Sequence, residues 1–401
     1  MNAPLPYGRQ DIDERDIAAV VSVLRSDRLT QGPAVEAFER AVAERCGASF
    51  AIAVNSATSA LHLACLALDV GVGDTVWTTP NTFVATANCA IACGAEVDFV
   101  DIDPWTWNLC PVALEEKLLE ARRQGGSMPK VVIVVHFAGE PCDMPAIARL
   151  AERFGFRVVE DAAHAFGARQ DGSPIGACRY SDITVFSFHP VKIITSAEGG
   201  MLLTRDAQLA DRLLAQRTCG IWRTRAGSDR PLDEPWAYEQ RAYGCNYRLS
   251  DVHAALGLAQ LDRVDTFLAR RHALAQRYDR ELEGLSLVAQ QRAPGSFSAL
   301  HLYPVLLPEH RCVPELRRAV FDRMVAGGIG VNVHYIPVHT QPFQRERYGS
   351  RCLPRAEHYY ARTLSLPLFG VMTFDQQDRV LACLRSALHG SLDAAGTRRA
   401  A

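Results

Sequence analysis

Short β-branched runs alternate with helix-patterned stretches from residue 45 to about 205, and no other feature of this chain narrows its fold as far. Ser49 to Val54 reads as a buried strand, and the helix after it carries Leu61, Leu63, Leu66 and Leu68. Thr75 to Thr78 is a second strand, and Phe83 to Cys93 a helix beyond the loop at Pro80. Glu96 to Val100, Lys130 to Val135 and Arg157 to Val159 continue the series, with helices near 112–122 and 145–153 between them. Ile183 to Phe188 and Met201 to Thr204 are two further strands close together. Repeated β-helix-β units imply an α/β fold whose mostly parallel sheet is covered by helices on both faces. Ligands of such sheets bind beyond the carboxyl ends of the strands, so chemistry is expected there.

A helical stretch from Ser250 to about Leu282 reads as a connector into a smaller region. That region shows strand-like patches at Ala299–Leu307 and Val331–His334 and a helix near Pro314–Ala326. The expected division is a large domain over 1–264, whose N-terminal segment can pack on the small domain, a small one over 265–390 and an unstructured tail over 391–401. Arg223 to Gln240, rich in charge and Pro, is expected to be a mobile loop near the substrate.

Composition excludes more than it identifies. The 43 Lys+Arg against 45 Asp+Glu leave a net charge of −2, too little for a general affinity for nucleic acid or anionic membrane. No basic stripe, helix-turn-helix pattern or interleaved aromatic cluster favours a DNA- or signal-binding module. Met1 to Arg9 lacks a basic segment leading into an apolar one, so no signal peptide is expected. The uncharged windows 49–68 and 75–95 are broken by Asn, Ser, Thr, His or Pro, so neither is a membrane span. The 12 cysteines include no C-x-x-C pair, and Cys89 and Cys93 have no His at a metal-ligand spacing; free thiols in a reducing cytoplasm, and no metal site, are expected.

Three segments at strand ends can carry chemistry. In Ser187-Phe188-His189-Pro190-Val191-Lys192, followed by Glu198-Gly199-Gly200, Lys192 sits in a segment free of other charged residues from Ile183 to Ala197. It can be a snorkelling lysine beside the sheet, or a desolvated amine that forms a Schiff base with an aldehyde. Glu160-Asp161-Ala162-Ala163-His164 follows the strand Arg157 to Val159. Asp161 can be a helix cap, or the carboxylate that keeps the ring nitrogen of pyridoxal phosphate protonated. Asn55-Ser56-Ala57-Thr58-Ser59 can be an ordinary cap, or a cradle for a single phosphate at a helix N-terminus. Neither a nucleotide-triphosphate loop nor a dinucleotide fingerprint is present.

Together the Ser-Phe-His…Lys…Glu-Gly-Gly block and these segments resemble the DegT/DnrJ/EryC1/StrS family of sugar aminotransferases, across nearly the whole chain. The resemblance implies a fold-type I, aspartate-aminotransferase-like enzyme with pyridoxal 5'-phosphate as cofactor. Lys192 would be the Schiff-base lysine and proton carrier, Asp161 the partner of the ring nitrogen, and His164 a neighbour of the ring hydroxyl. Phe83 would stack on the ring, while Ala57, Thr58, Ser59 and Ser187 hold the phosphate and Asn246 reaches it from the other subunit of a homodimer. Tyr7, the loop Leu29, Thr30, Gln31 and Gly32, and the loop His334, Tyr335, Ile336 and Pro337 would line a sugar nucleotide. Members that dehydrate deoxysugars replace the lysine with His, so its presence implies transamination. His189 can tempt toward a base role, or belong to the turn before the lysine.

Leu29-Thr30-Gln31-Gly32-Pro33, His136 to Gly139, His189 to Gly200, Tyr243 to Asp251 and His334 to Pro337 are also similar to members acting in pseudaminic acid biosynthesis. These imply L-glutamate as donor and C4 of UDP-2-acetamido-2,6-dideoxy-β-L-arabino-hex-4-ulose as acceptor. A D-configured UDP sugar or a dTDP sugar is the alternative.

Overall fold

The computed structural model describes residues 3–222, 236–309 and 314–397. Seven strands form one sheet, in the spatial order Phe50–Val54, Gly200–Thr204, Ile183–Ser187, Arg157–Asp161, Val131–Val135, Thr75–Thr78, Glu96–Phe99. Gly200–Thr204 runs antiparallel to both of its neighbours and every other pairing is parallel, so the sheet is mixed but mostly parallel.

The central strands feed two cores. Val131 and Ile133 pack with the helices Ala57–Ala67 and Ala85–Ala92 on one face. Val132 and Val134 face Leu114, Leu118, Met144 and Ile147 of the helices Pro111–Gln124 and Met144–Phe154. A strand buried on both faces must read as continuous apolar residues, and Val131–Val135 is buried throughout. Toward the other edge, Phe186, Met201 and Leu203 pack with Phe38 of the helix Pro33–Cys46.

A second core gathers around the antiparallel strands Val288–Ala289, Tyr303–Leu306 and Thr363–Leu366. Val305 and Leu364 meet Tyr278, Val320, Met324, Val380 and Leu384 there, from the helices Val264–Glu281, Pro314–Ala326 and Phe374–Thr397. The N-terminal segment joins this core: Leu5 is buried, donates to Gly328 O at 2.9 Å and accepts from Gly330 N at 2.7 Å.

Four expectations need correction. The stretch Ser250–Leu282 is two helices, Asp251–Leu261 and Val264–Glu281. Between them Arg263 leaves helical geometry and its guanidinium pairs with Asp11, Asp13 and the fully buried Asp16. Val331–His334 is no strand: Asn332 alone bridges to Ser365, and the chain then turns toward the sheet edge. Within Ala299–Leu307 only Tyr303–Leu306 is a strand, because Ala299 and Leu302 donate instead to Gly139 O and Ala138 O. The last helix runs to Thr397, through much of the expected tail; Leu392, Ala394 and Ala395 favour helix, and single glycines weaken it without ending it. Of the loop expected over Arg223–Gln240, residues 223–235 lie outside the described residues, and Glu239–Gln240 pairs with Ile221–Trp222 as a short hairpin.

Gly200 sits where strand backbones crowd together. It pairs with Val54 on one side and Ser187 on the other, and a Cβ there would lie 2.6 Å from the carbonyl of Ser56. Backbone on both sides cannot retreat, so Gly200→Ala should cost about 1–3 kcal/mol, read as a lower urea midpoint with an unchanged slope.

Candidate active site

The carboxyl ends of the parallel strands, with the amino end of Gly200–Thr204, surround a cavity of about 490 Å³. Its wall includes Tyr7, Ala57, Thr58, Phe83, Asp161, His164, Ser187, Lys192, His334 and Tyr335. These ten come from segments far apart in the chain, and strand register brings them together.

At one end lies the helix Ala57–Ala67. Ser56 is its N-cap, extended at φ −167°, and its hydroxyl accepts the Ser59 N–H at 3.1 Å. The Ser59 hydroxyl donates to Asn55 Oδ1 at 2.6 Å and lies 3.0 Å from Ser56 Oγ. Ser59 is therefore turned inward and is not part of the cavity wall. The amides of Ala57 and Thr58 find no acceptor among the described residues, so two donors and the positive helix end face the cavity. Ser187 faces them across Gly200.

Lys192 sits in a turn closed by backbone bonds, with Lys192 N to His189 O at 2.9 Å and Phe188 N to Gly199 O at 2.9 Å. Thr195 Oγ1 donates to Phe188 O at 3.0 Å and accepts from Ala197 N at 2.9 Å. His189 accepts the Val191 N–H through Nδ1 at 3.4 Å, which places its imidazole within the turn. Burial lowers the Lys192 amine to about 8, against a smaller opposing pull from Asp161.

Asp161 ends its strand and is buried. Thr86 Oγ1 donates to Oδ2 at 2.7 Å and Ala163 N to Oδ1 at 3.2 Å. Burial nonetheless raises its carboxyl above the ordinary range, and Lys192 only partly opposes this. An anion so placed gains from a cation in the cavity, which is what a protonated pyridine supplies. Phe83 leaves 59% of its surface exposed at the cavity, a large apolar face awaiting a flat partner.

His164 accepts the Ala138 N–H through Nδ1 at 3.3 Å, so its proton lies on Nε2, 3.1 Å from the Tyr335 hydroxyl. Burial, then Lys192 and His334, hold its imidazole well below the usual range, so it is neutral. His334 accepts from Asn332 Nδ2 at 3.3 Å and donates through Nδ1 to Ser365 Oγ at 2.8 Å; burial pushes it down to about 3. Tyr7 packs its ring 5.4 Å from that of His334.

Other expected residues lie elsewhere in the chain. Leu29, Thr30, Gln31 and Gly32 pack beside the helix Asp251–Leu261, with Gly32 N donating to Asp251 Oδ2 at 2.8 Å. A Cβ on Gly32 would come within 2.8 Å of that carboxylate. Asn246 is exposed on a segment that returns to the sheet edge through Tyr247 O and Asn55 N, 2.9 Å apart. Ile336 and Pro337 follow Tyr335 but do not line the cavity. Thr86 and Asn332 do, and sequence reasoning named neither; Ser56 and Glu198 also do, named there only within the turn and the lysine block. Ser56 carried a signal, being the small polar residue before a helix. Thr86 carried none, since a threonine in a helix is ordinary.

The DegT/DnrJ/EryC1/StrS aminotransferase family profile matches residues 10–385. The chain belongs to that family. It is 37% identical over 398 residues to the spore coat polysaccharide biosynthesis protein SpsC of Bacillus subtilis, covering 96% of this chain and 98% of that one. Among solved structures it is similar to Helicobacter pylori PseC, an aminotransferase involved in the biosynthesis of pseudoaminic acid. That likeness has a TM-score of 0.89 at 27% identity over 96% of this chain and all of that one. It is also similar to the PLP form of Spr1654 from Streptococcus pneumoniae, with a TM-score of 0.86 at 26% identity, covering 97% and 99%. The family's aminotransferases use pyridoxal phosphate, and the chain is a PLP-dependent sugar aminotransferase. The residues fit that cofactor: a desolvated lysine, a buried carboxylate whose charge Lys192 only partly offsets, two free amides at a helix end and an exposed aromatic face. Among the described residues no helix is long and apolar enough to cross a membrane, and the eleven cysteines are free.

Only the neutral amine attacks an aldehyde. Because burial depresses the lysine, the neutral form dominates above about pH 8 rather than above the ordinary 10.5. The rate at which apoenzyme and pyridoxal phosphate develop a Lys192-dependent visible band should therefore rise through a midpoint near 8. A stopped-flow pH series checks this; a midpoint near 10.5 contradicts it.

Proposed function

We propose that this enzyme moves an amino group from L-glutamate to C4 of UDP-2-acetamido-2,6-dideoxy-β-L-arabino-hex-4-ulose. The product is UDP-4-amino-4,6-dideoxy-N-acetyl-β-L-altrosamine, for pseudaminic acid biosynthesis in the cytoplasm. Pyridoxal phosphate, when bound, supplies the electron sink for the pair left at the donor's α-carbon. The protein does the rest. Lys192 takes the proton from that carbon and delivers it to the cofactor side, then reverses both steps with the keto sugar. Asp161 keeps the ring nitrogen protonated, Ala57, Thr58 and Ser187 anchor the phosphate, and Phe83 covers one ring face.

The observation that carries this reading is the pairing of Lys192 with the His334–Tyr335 loop and Tyr7 on one cavity wall. The likeness to PseC supports the sugar assignment. A second reading, another nucleotide-linked keto sugar, is favoured by the higher identity to SpsC. In this proposal Tyr7, the Leu29–Gly32 loop and the His334–Pro337 loop recognise the sugar nucleotide, and the chain divides into domains over 1–264 and 265–390. It works as a homodimer in which Asn246, exposed on its own protomer, reaches the cofactor phosphate of the second copy.

Purified holoenzyme should absorb at roughly 410–430 nm, and Lys192→Ala should lose both this band and transamination. Incubation with glutamate and a panel of 4-keto sugars, reading 2-oxoglutarate, should show turnover of the L-arabino UDP sugar. Turnover confined to a D-configured or dTDP sugar would select the second reading.

The shared site has its own test. Mixing Lys192→Ala with Asn246→Ala subunits should create one intact site per mixed dimer and restore about a quarter of wild-type activity by random pairing. Activity no greater than the sum of the two parents would place Asn246 outside the partner's site.

A further inference from the structure

Among the described residues Asp161 is the buried carboxylate that lines the cavity, yet its burial favours the uncharged acid. Charged and titratable groups meet it from four segments: Lys192, His136, His164 and Tyr335. His164 is neutral, and Tyr335, its phenol raised by burial, stays protonated. Lys192 changes its bonding and charge as the reaction proceeds, so it cannot stabilise the carboxylate at every stage. The Thr86 hydroxyl, 2.7 Å from Oδ2, can.

The direction of that hydrogen bond comes from counting protons. An ionised carboxylate only accepts, so the single hydroxyl proton of Thr86 is committed to Asp161. Thr82 Oγ1 lies 2.7 Å from Thr86 Oγ1, and with Thr86's proton spent, Thr82 must be the donor. The result is a directed relay, Thr82 to Thr86 to Asp161, whose members are 3%, 1% and 5% exposed and all border the cavity. Its backbone is held in place, since Thr86 N donates to Phe83 O at 3.1 Å and Thr86 O accepts the Cys89 thiol at 3.2 Å. One turn, Thr82 to Thr86, thus carries both the aromatic face of Phe83 and the hydroxyls behind the carboxylate.

We propose that Thr86, oriented by Thr82, is a positioning residue that keeps Asp161 ionised and aimed, and so decides whether the cofactor's ring nitrogen holds its proton. This inference rests on the pyridoxal phosphate chemistry of the family and goes beyond it by assigning two residues that act through Asp161.

Holoenzyme loaded with pyridine-¹⁵N pyridoxal phosphate tests it directly, because the ¹⁵N shift reports protonation of the ring nitrogen whatever the activity. The wild type should show the protonated shift. Thr86→Val, similar in shape but without the hydroxyl, should move it toward the unprotonated value and slow the glutamate half-reaction about tenfold at an unchanged KM. Thr86→Ser should restore both, and Thr82→Val, which leaves Thr86 in place, should shift the resonance the same way by less. A wild-type ¹⁵N shift in both valine variants overturns the proposal, even if they unfold more easily. Should Thr86→Val not fold, the shift in Thr82→Val decides alone. Loss of the Lys192-dependent band in the wild type would instead sink the cofactor chemistry, a separate failure.

Discussion

A carboxylate and an amine, Asp161 and Lys192, line one cavity, and each is unsettled by burial in the opposite sense. Desolvation raises the acid and lowers the base, and the attraction between them recovers only part of the cost. Neither charge is comfortable without a third partner between them. A pyridinium beside the carboxylate and a bonded aldehyde on the amine would relieve both, so the binding site is an electrostatic deficit as much as a shape.

The remaining structure keeps that deficit in place. Five strands run parallel into the site edge with the outer strand Phe50–Val54 aligned to them, and the reversed strand Gly200–Thr204 enters it from the loop carrying Lys192. The turn after Val54 and the end of Ile183–Ser187 come close only because Gly200 between them has no side chain. On the far side of Asp161, Glu160 points into the opposite face. There His136 Nε2 meets it at 2.7 Å, and Thr184 Oγ1 at 2.9 Å. A strand's alternation thus sends two adjacent acids to opposite faces, Glu160 into a hydrogen-bonded core and Asp161 to the cavity.

Much of the central sheet was legible because its strands are buried on both faces and must be continuously apolar. Val131–Val135 stands out for that reason. Legibility failed where a local pattern had two tertiary outcomes. The stretch 250–282 is periodic throughout, yet the ion pairs of Arg263 with Asp11, Asp13 and Asp16, more than 240 positions away, divide it. Val331–His334 has strand-like residues but only one bridge, since the chain departs to bring His334 and Tyr335 into the cavity. Ser59 reads as a phosphate ligand from its place in the turn, and a hydroxyl bond to Asn55 turns it inward.

By itself the amino-acid sequence determined the layered α/β class, the helix-start chemistry at Ser56 to Ser59, and the residue types a cofactor aldehyde requires, Lys192 with Asp161. Those come from periodicity, capping and side-chain chemistry, which are properties of neighbours in the chain. Only the tertiary structure decided which amides remain free, that His164 is neutral with its proton on Nε2, and that Thr82 and Thr86 stand behind Asp161. The reason is physical: hydrogen-bond direction and desolvation depend on every group that surrounds an atom. Those groups come from strands and loops whose proximity no local stretch of sequence records.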